Sequence, residues 1–256
     1  MLSFFRDSLP SLDPAVADLV RYEAERQGRK LILIPSESQA PEAVREALGS
    51  VFQNIYAEGY PDPSIHGKTE EQILDYEGQL AYFRRYSDRR YYRGVEYVNI
   101  LESLAQRRAA DAFATDEIPP EEIWANVQPL SGSPANSAIY AALVPPGSTV
   151  MGMDLLHGGH LTHGSPANRS GKLYNIVSYG IDLKSERLDY DEIEELARQH
   201  KPKMIIAGYT SYPWMPDWAR FRQIADAAGA YLLADISHIA GMVAAGVVAS
   251  PVGHAH

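Results

Sequence analysis

Downstream of Trp124 the chain alternates short apolar runs with helical patterns, and this alternation constrains the fold more than any other feature. Strands separated by helices of about 10–15 residues predict βαβ units, and therefore a mostly parallel sheet covered by helices. The predicted strands are WANVQPL, STVMGMD, LYNIVSYGI, KMIIAGYT and YLLAD. The predicted helices are SGSPANSAIYAALV, DYDEIEELARQH and DWARFRQIADAAG. The fold class is α/β.

Upstream of this region the patterns predict helices. Asp13 followed by Pro14 is typical of a capped helix start, and Gly28 predicts its end. A second helix is expected from Pro41 to about Gln53. Residues 62–88 predict a helical stretch with a solvated face, and residues 95–114 a long amphipathic helix.

The amino-acid composition excludes several classes of protein. The chain has no cysteine, so disulfides, thiolate metal sites and cysteine nucleophiles are excluded. A net charge of −10 argues against a general nucleic-acid binder, and we expect no nucleic-acid partner. No run approaches the roughly 20 apolar residues of a membrane helix, and the N-terminus lacks the pattern of a signal peptide. We expect a cytoplasmic protein without a membrane partner.

A candidate anion site opens the helix SGSPANSAIYAALV. Pro134 suits a first helical position, which would make Ser133 the N-cap. The free amides and the positive end of the helix dipole could then bind a phosphate next to Ser131 and Gly132. An ordinary capped helix without an anion site explains the same sequence, and this alternative stays open.

A candidate acid follows the strand YLLA. Asp235 stands at the expected carboxyl end of that strand, where α/β folds place their ligands. Its carboxylate could pair with a cationic ring nitrogen, and His238 follows three residues later. A helix-capping aspartate and a core histidine are the alternative.

Two further clusters carry chemically useful side chains. LLHGGHLTHG holds three histidines, but Gly158–Gly159 breaks the helix that would align them, so we expect no metal site and instead assign His160 to stacking on a flat ring. The glycines suggest close backbone approach to a ligand. YAEGYP and RRYYRGVEY bring tyrosines to a glutamate and suggest a proton-transfer site, with an aromatic-rich surface loop as the alternative.

Together these segments resemble the serine hydroxymethyltransferase family. The matching strings, in order, are IPSES, YAEGYP, RRYYRGVEYV, WANVQPLSGSPAN, MDLLHGGHLTHGSP, SGKLYNIVSYGID, KPKMIIAGYTSY and ADISHIAGMVAAGV. The resemblance implies a pyridoxal-phosphate-dependent transferase fold of the aspartate-aminotransferase type. It makes residues 62–88 an insertion, residues 1–61 an N-terminal helical segment, and residues 89–256 an incomplete cofactor domain.

The resemblance also implies roles for individual residues. The implied cofactor-binding residues are Ser131, Gly132 and Ser133 for the phosphate, Asp235 for the pyridine nitrogen, His160 for stacking, and His238. His238 and Thr210 would lie near the ring hydroxyl and the reacting substrate. The implied catalytic residues are Glu58 as acid/base, Tyr56, Tyr92, His160, Thr210 and His238. The implied substrate contacts are Ser36 and Tyr92, with Leu155, Gly159 and Leu161 lining a folate site.

The chain departs from the family pattern in three places. Ser38 replaces the asparagine of the usual SEN, and Pro134 stands where glutamine is frequent. The lysine to which the family attaches its cofactor is missing, because none of the six lysines lies in that context. We therefore expect a truncated fold, the N-terminal half of such an enzyme, and predict that residues 1–256 alone bind pyridoxal phosphate weakly at most and are inactive.

The implied activity is the interconversion of serine and glycine, with tetrahydrofolate as the one-carbon acceptor. A related β-hydroxy amino acid aldolase or α-methylserine hydroxymethyltransferase is an alternative. A non-catalytic relative that binds ligand or pairs with a full-length partner is another. The resemblance also implies a homodimer or tetramer in which the tyrosine and glutamate residues of one subunit contribute to the active site of its neighbour.

Overall fold

The computed structural model describes Phe5 and residues 7–256, in two compact units, Met1–Arg45 and Glu46–His256. The first unit contains α1 (Leu9–Leu12) and α2 (Pro14–Arg29). Asp13 caps α2, because its Oδ1 accepts a hydrogen bond from the Val16 amide at 3.1 Å. This confirms the predicted helix start. No α2 residue is buried.

Helices also dominate the first part of the second unit. α3 (Glu42–Leu48) begins in the first unit and runs past the boundary. The helices that follow are α4 (Glu70–Ile73), α5 (Tyr76–Tyr86) and α6 (Glu96–Phe113), with 3₁₀ turns at Val51–Asn54, Pro63–Ile65 and Pro120–Glu122. The predicted helical character of residues 62–88 and the long helix near 95–114 are both confirmed.

Residues 62–88, the predicted insertion and called the inserted segment below, share a small core with α6. Ile65, Ile73 and Phe83 are buried together with Ile100 of α6. The capping box between Thr69 and Gln72 fixes the start of α4, so Ile73 lies on its buried side. The segment 62–88 is therefore packed onto α6 through one set of side chains, while most of the others are exposed, as the predicted solvated face requires.

The α/β region is a four-stranded parallel sheet with strand order β2-β1-β5-β6. Its strands are β1 (Thr149–Met153), β2 (Asn175–Tyr179), β5 (Met204–Ala207) and β6 (Tyr231–Ala234). β3 (Ile181–Asp182) and β4 (Arg187–Leu188) form a separate antiparallel pair. The remaining helices are α7 (Gly132–Leu143), α8 (Arg169–Leu173), α9 (Tyr190–His200), α10 (Trp218–Ala228) and α11 (Ala240–Ala244).

Helices cover both faces of the sheet. On one face, Ile205 and Leu232 are buried with Phe221 and Ile224 of α10. On the other, Ile206 and its neighbours pack with Tyr140 of α7. Strands buried on both sides read as continuous apolar runs, which is why the sequence pattern located them. The predicted α/β architecture is confirmed.

One predicted strand is wrong. WANVQPL forms no strand, and Trp124 and Leu130 are 73% and 88% exposed. Pro129 has no amide to donate, and the side chain of Gln128 bonds to other parts of the chain. The hairpin of β3 and β4 and the short helices α8 and α11 have no counterpart in the predicted pattern. Among the residues that the structure describes, no helix has the length and apolarity to span a bilayer.

Candidate functional site

The carboxyl ends of β1, β5 and β6 meet at one edge of the sheet. From β1 the chain continues to β2 on one side, whereas β5 and β6 lie on the other, so the strand order reverses between β1 and β5. Ligands of open α/β sheets bind in the crevice at such a reversal. The loops after these strands touch there, because the Thr210 amide donates to the Gly158 carbonyl at 2.8 Å.

Asp235 directly follows β6 and is the centre of a hydrogen-bond network. Its Oδ2 accepts from Asn136 Nδ2 at 2.9 Å and lies 2.8 Å from His163 Nε2. Its Oδ1 accepts from the Ser237 hydroxyl at 2.6 Å and from the Ser237 amide at 3.2 Å. Asn136 belongs to α7, so the acid and this helix lie on the same side of the site.

The network keeps Asp235 ionised. Burial alone would raise its pKa, since the side chain is only 10% exposed. The hydrogen bonds from His163, Ser237 and Asn136 outweigh burial and hold the pKa well below its usual range. A buried carboxylate is thus fixed in the anionic form at the edge where ligands bind.

The two histidines beside Asp235 have defined partners. The His160 amide donates to His163 Nδ1 at 3.3 Å, which leaves His163 Nε2 to donate to Asp235 Oδ2 at 2.8 Å. His160 Nδ1 accepts from the Thr162 amide at 3.2 Å. Burial, followed by His163 and His238, lowers the pKa of His160, and Asp235 only partly opposes this. The His160 ring is therefore neutral at pH 7.

The third histidine turns away from this pair. His157 Nδ1 accepts from the Ile181 amide at 3.0 Å, on the β3 side of the loop. Among the described residues no cluster of three or more potential ligands is arranged to hold a metal ion.

Close backbone contacts within the chain explain why this loop contains Gly158 and Gly159. A Cβ on Gly159 would lie 2.1 Å from the Met153 carbonyl oxygen, so only glycine fits there. The close approach that these glycines permit is between backbone segments of the chain, and their approach to a ligand stays a prediction. Leu155 and Leu161 stand on 3₁₀ turns either side of it and are 47% and 46% exposed.

The start of α7 lies next to the Asp235 turn. A Cβ on Gly132 would come within 3.1 Å of Ser237 Oγ. Ser131 is the N-cap, which corrects the prediction of Ser133: the helix already begins at Gly132, and Pro134 stands third within it. The Ser131 side chain makes no capping bond. The predicted proximity of Asp235 and residues 131–133 is confirmed.

Thr210 and His238 lie at the same edge. The Thr210 hydroxyl is buried and has no hydrogen-bond partner among the described residues. His238 stands in the turn after β6 and is close enough to His160 to affect its pKa. Ser36 belongs to the first unit, where it is exposed in a turn, and its substrate contact stays a prediction.

Tyr56, Glu58 and Tyr92 form a second group. The rings of Tyr56 and Tyr92 are 5.6 Å apart, and the Tyr91 amide donates to the Glu58 carbonyl at 3.1 Å. All three predicted side chains are exposed. Within the described part of the chain, no hydrogen bond, ion pair or ring contact joins them to Asp235.

A buried arginine holds the backbone on both sides of Glu58. Arg90 Nη1 donates to the carbonyl oxygens of Ala57 at 2.6 Å and Gly59 at 2.9 Å. Its Nη2 donates to Glu102 Oε2 at 2.5 Å, and its Nε to Asn99 Oδ1 at 2.6 Å. The loop that carries Glu58 is thereby anchored to α6.

Sequence reasoning missed Asn136, Ser237 and Arg90, and it considered His163 only as a metal ligand. Asn136 had a detectable signal, since it lies one helical turn after Gly132 and faces the same site. Arg90 had none, because its partners lie on the distant segments 57–59 and 99–102.

The fold and the site define a class. A parallel sheet covered on both faces, an ionised aspartate after one strand and a helix N-terminus beside it are the arrangement expected of pyridoxal-phosphate-dependent transferases of the aspartate-aminotransferase fold type. A family model described as serine hydroxymethyltransferase matches residues 9–85 and 71–256, and the chain belongs to this family. The two matched segments overlap at 71–85, inside the predicted insertion.

Proposed function

We propose that this protein interconverts serine and glycine using pyridoxal phosphate, with tetrahydrofolate as the one-carbon acceptor. The observation that carries the proposal is the ionised Asp235 beside the N-terminus of α7. A fixed anion suits a protonated pyridine nitrogen, and a helix N-terminus suits a phosphate. Few other ligands need both at one site.

The donor set fits this cofactor. The exposed residues 131–133 offer the amides of the first helical turn to a phosphate. The buried Thr210 hydroxyl has no partner among the described residues and is suited to a polar group of a bound ring. The neutral ring of His160 would hold one face of a flat heterocycle and exclude water from it.

The chain's own groups would each have a limited task. Pyridoxal phosphate, when bound, supplies an electron sink for breaking bonds at the amino acid α carbon. Asp235 would hold the proton at the pyridine nitrogen, because its pKa lies far below that of the ring. Glu58 would hold or accept the proton of the substrate hydroxyl, with Tyr56 and Tyr92 beside it.

The substrate contacts extend the proposal. Ser36 would bind the amino acid, and His238 and Thr210 would lie near the reacting groups. Leu155 and Leu161 present apolar surface on either side of Gly159, as a flat folate ring would require.

The experiment uses the protein as its gene encodes it. Serine labelled with ¹³C at the hydroxymethyl carbon is supplied with tetrahydrofolate and pyridoxal phosphate, and transfer of the label to the folate is followed by NMR. We expect transfer that requires both additions. It should be strongly reduced in Asp235→Asn and unchanged in Asp191→Asn, whose side chain is 94% exposed.

The other outcomes identify the alternatives. Cleavage of β-hydroxy amino acids without folate would indicate an aldolase, and turnover of α-methylserine but not serine the related hydroxymethyltransferase. Cofactor binding without any turnover would indicate a non-catalytic relative. For residues 1–256 alone, we expect borohydride reduction to leave no stoichiometric pyridoxyl group on any of the six lysines.

A further inference from the structure

A cavity of about 400 Å³ lies in the second unit, enclosed by the inserted segment, α6 and residues 120–126. None of the residues that line it belongs to the Asp235 network or to the loops around it. Its volume falls within the range of small-molecule sites. The proposed function assigns no task to this cavity.

The walls are mainly apolar. Ile65 and Ile73 line the cavity from the inserted segment, Ala110 from α6, and Ile123 from the turn that follows. Ile65, Ile73 and Ala110 are buried, so this wall is fixed by packing rather than by loose surface side chains. Such a wall favours a hydrocarbon or aromatic body.

An aromatic pair forms another part of the lining. The rings of His66 and Trp124 are stacked, with centroids 3.6 Å apart and planes 11° from parallel. His66 Nε2 lies 2.9 Å from the Glu121 carbonyl oxygen, which fixes the orientation of the pair. Trp124 is nonetheless 73% exposed, so much of the indole remains available to a flat ligand.

The polar groups of the lining point to one anionic contact. Arg107 is neutralised by Asp111 and Glu121, with N–O distances of 2.8 and 3.0 Å. Asp62, the lining carboxylate of the inserted segment, lies 3.9 Å from Arg89. Lys68 also lines the cavity and is half-buried, but it forms no ion pair with any residue that the structure describes. Ser103 adds a buried hydroxyl that has no partner within the same set.

We propose that this cavity binds a small planar aromatic monocarboxylate. The aromatic body lies against Ile65, Ile73 and the exposed part of Trp124, and the carboxylate pairs with Lys68. A charge-assisted hydrogen bond in a partly desolvated site is stronger than the same contact in water, so the carboxylate and Lys68 decide the specificity.

The test is calorimetric titration of the chain with 2-naphthoate and with its neutral analogue 2-naphthamide. We expect saturable one-to-one binding of the carboxylate, and binding of the amide that is weaker by about tenfold or more. Lys68→Met, which keeps the aliphatic stem, should weaken naphthoate binding to the same extent. The control Lys184→Met removes an exposed lysine outside the lining and should leave the affinity unchanged.

Two further measurements keep the result specific. Ala110→Leu should fill the cavity and abolish binding while thermal unfolding confirms that the variant is folded. Saturating pyridoxal phosphate should not displace naphthoate, because the two sites share no residue. Equal affinity of the Lys68 and Lys184 variants, displacement by pyridoxal phosphate, or undiminished binding to Ala110→Leu would each overturn the proposal.

Discussion

The two acid-bearing groups of the second unit, around Asp235 and around Glu58, are held in opposite ways. Asp235 is fixed through its side chain, because both carboxylate oxygens accept hydrogen bonds and little of it is exposed. Glu58 is fixed through its backbone, because Arg90 binds the carbonyl oxygens on either side of it while the side chain stays in solvent.

The two groups therefore differ in their electrostatic environments, because the partners of the Asp235 carboxylate are in place and those of the Glu58 carboxylate are not. A carboxylate whose partners are already in place is preorganised for a cation and needs no rearrangement when one arrives. The Glu58 carboxylate stands on an anchored loop and forms no hydrogen bond or ion pair with any residue that the structure describes. This arrangement favours the prediction that Glu58 serves a site whose other half comes from a second subunit.

The contrast between the two groups would fail most clearly if the position of the loop that carries Glu58 did not depend on Arg90. Arg90 is 3% exposed, and its removal leaves Glu102 as an uncompensated buried charge. We expect Arg90→Met to lower the free energy of unfolding by about 3–5 kcal/mol, measured by urea denaturation.

The neighbouring residue provides a matched control. Arg89 is 64% exposed and lies 3.9 Å from Asp62, so Arg89→Met should change the same free energy by no more than about 0.5 kcal/mol. Similar losses in the two variants would contradict the idea that Arg90 anchors the loop.

The second prediction concerns the charge of Asp235. Asp235→Ala should reduce serine-dependent turnover by about 10²–10³, the usual loss when a preorganised electrostatic partner is removed. Ser38→Ala should cost far less, because Ser38 already departs from the family residue. Near-normal turnover in folded Asp235→Ala would refute the assigned role.

The sequence predicts the α/β layer well because its signals are local. β5 is a continuous apolar run that is buried along its whole length, and Asp13 before Pro14 marks a helix start within four residues. The position of Asp235 at a strand end follows from the same runs. WANVQPL fails because an apolar run alone does not show whether a neighbouring strand is available to pair with it.

The supporting residues of both acids were harder to predict because their partners are distant in sequence. Asn136 and His163 reach Asp235 from 99 and 72 positions away. Arg90 reaches Ala57 across 33 positions. No spacing rule covers such separations, so a sequence can indicate which residue carries a charge without indicating what holds it in place.

The third prediction tests whether Glu58 acts in an active site that also contains residues of a partner subunit. We expect a homodimer in which Glu58→Gln and Asp235→Ala are each inactive, and in which subunit exchange between them restores roughly a quarter of the wild-type activity. That fraction follows because half of the dimers are mixed and each mixed dimer has one site without either substitution. Proven exchange without recovery would show that Glu58 and Asp235 act within one chain.

The smallest expected effect is a pKa shift that distinguishes the two groups directly. Burial and the neighbouring histidines lower the pKa of His160 below its ordinary value of about 6.5, while Asp235 partly raises it. As the pH falls, the unfolded chain therefore binds a proton at His160 before the folded chain does. This residue's contribution to stability is present above about pH 6.5 and is lost as the pH falls through the lower pKa of the folded state.

An NMR titration of the His160 ring should give a pKa below 6.5. Asp235→Asn should lower it further by removing the one favourable charge, whereas Glu58→Gln should not move it, because no contact among the described residues joins Glu58 to His160. A shift of the His160 pKa in Glu58→Gln would mean that the two groups are coupled within one chain and that the contrast between them is incorrect.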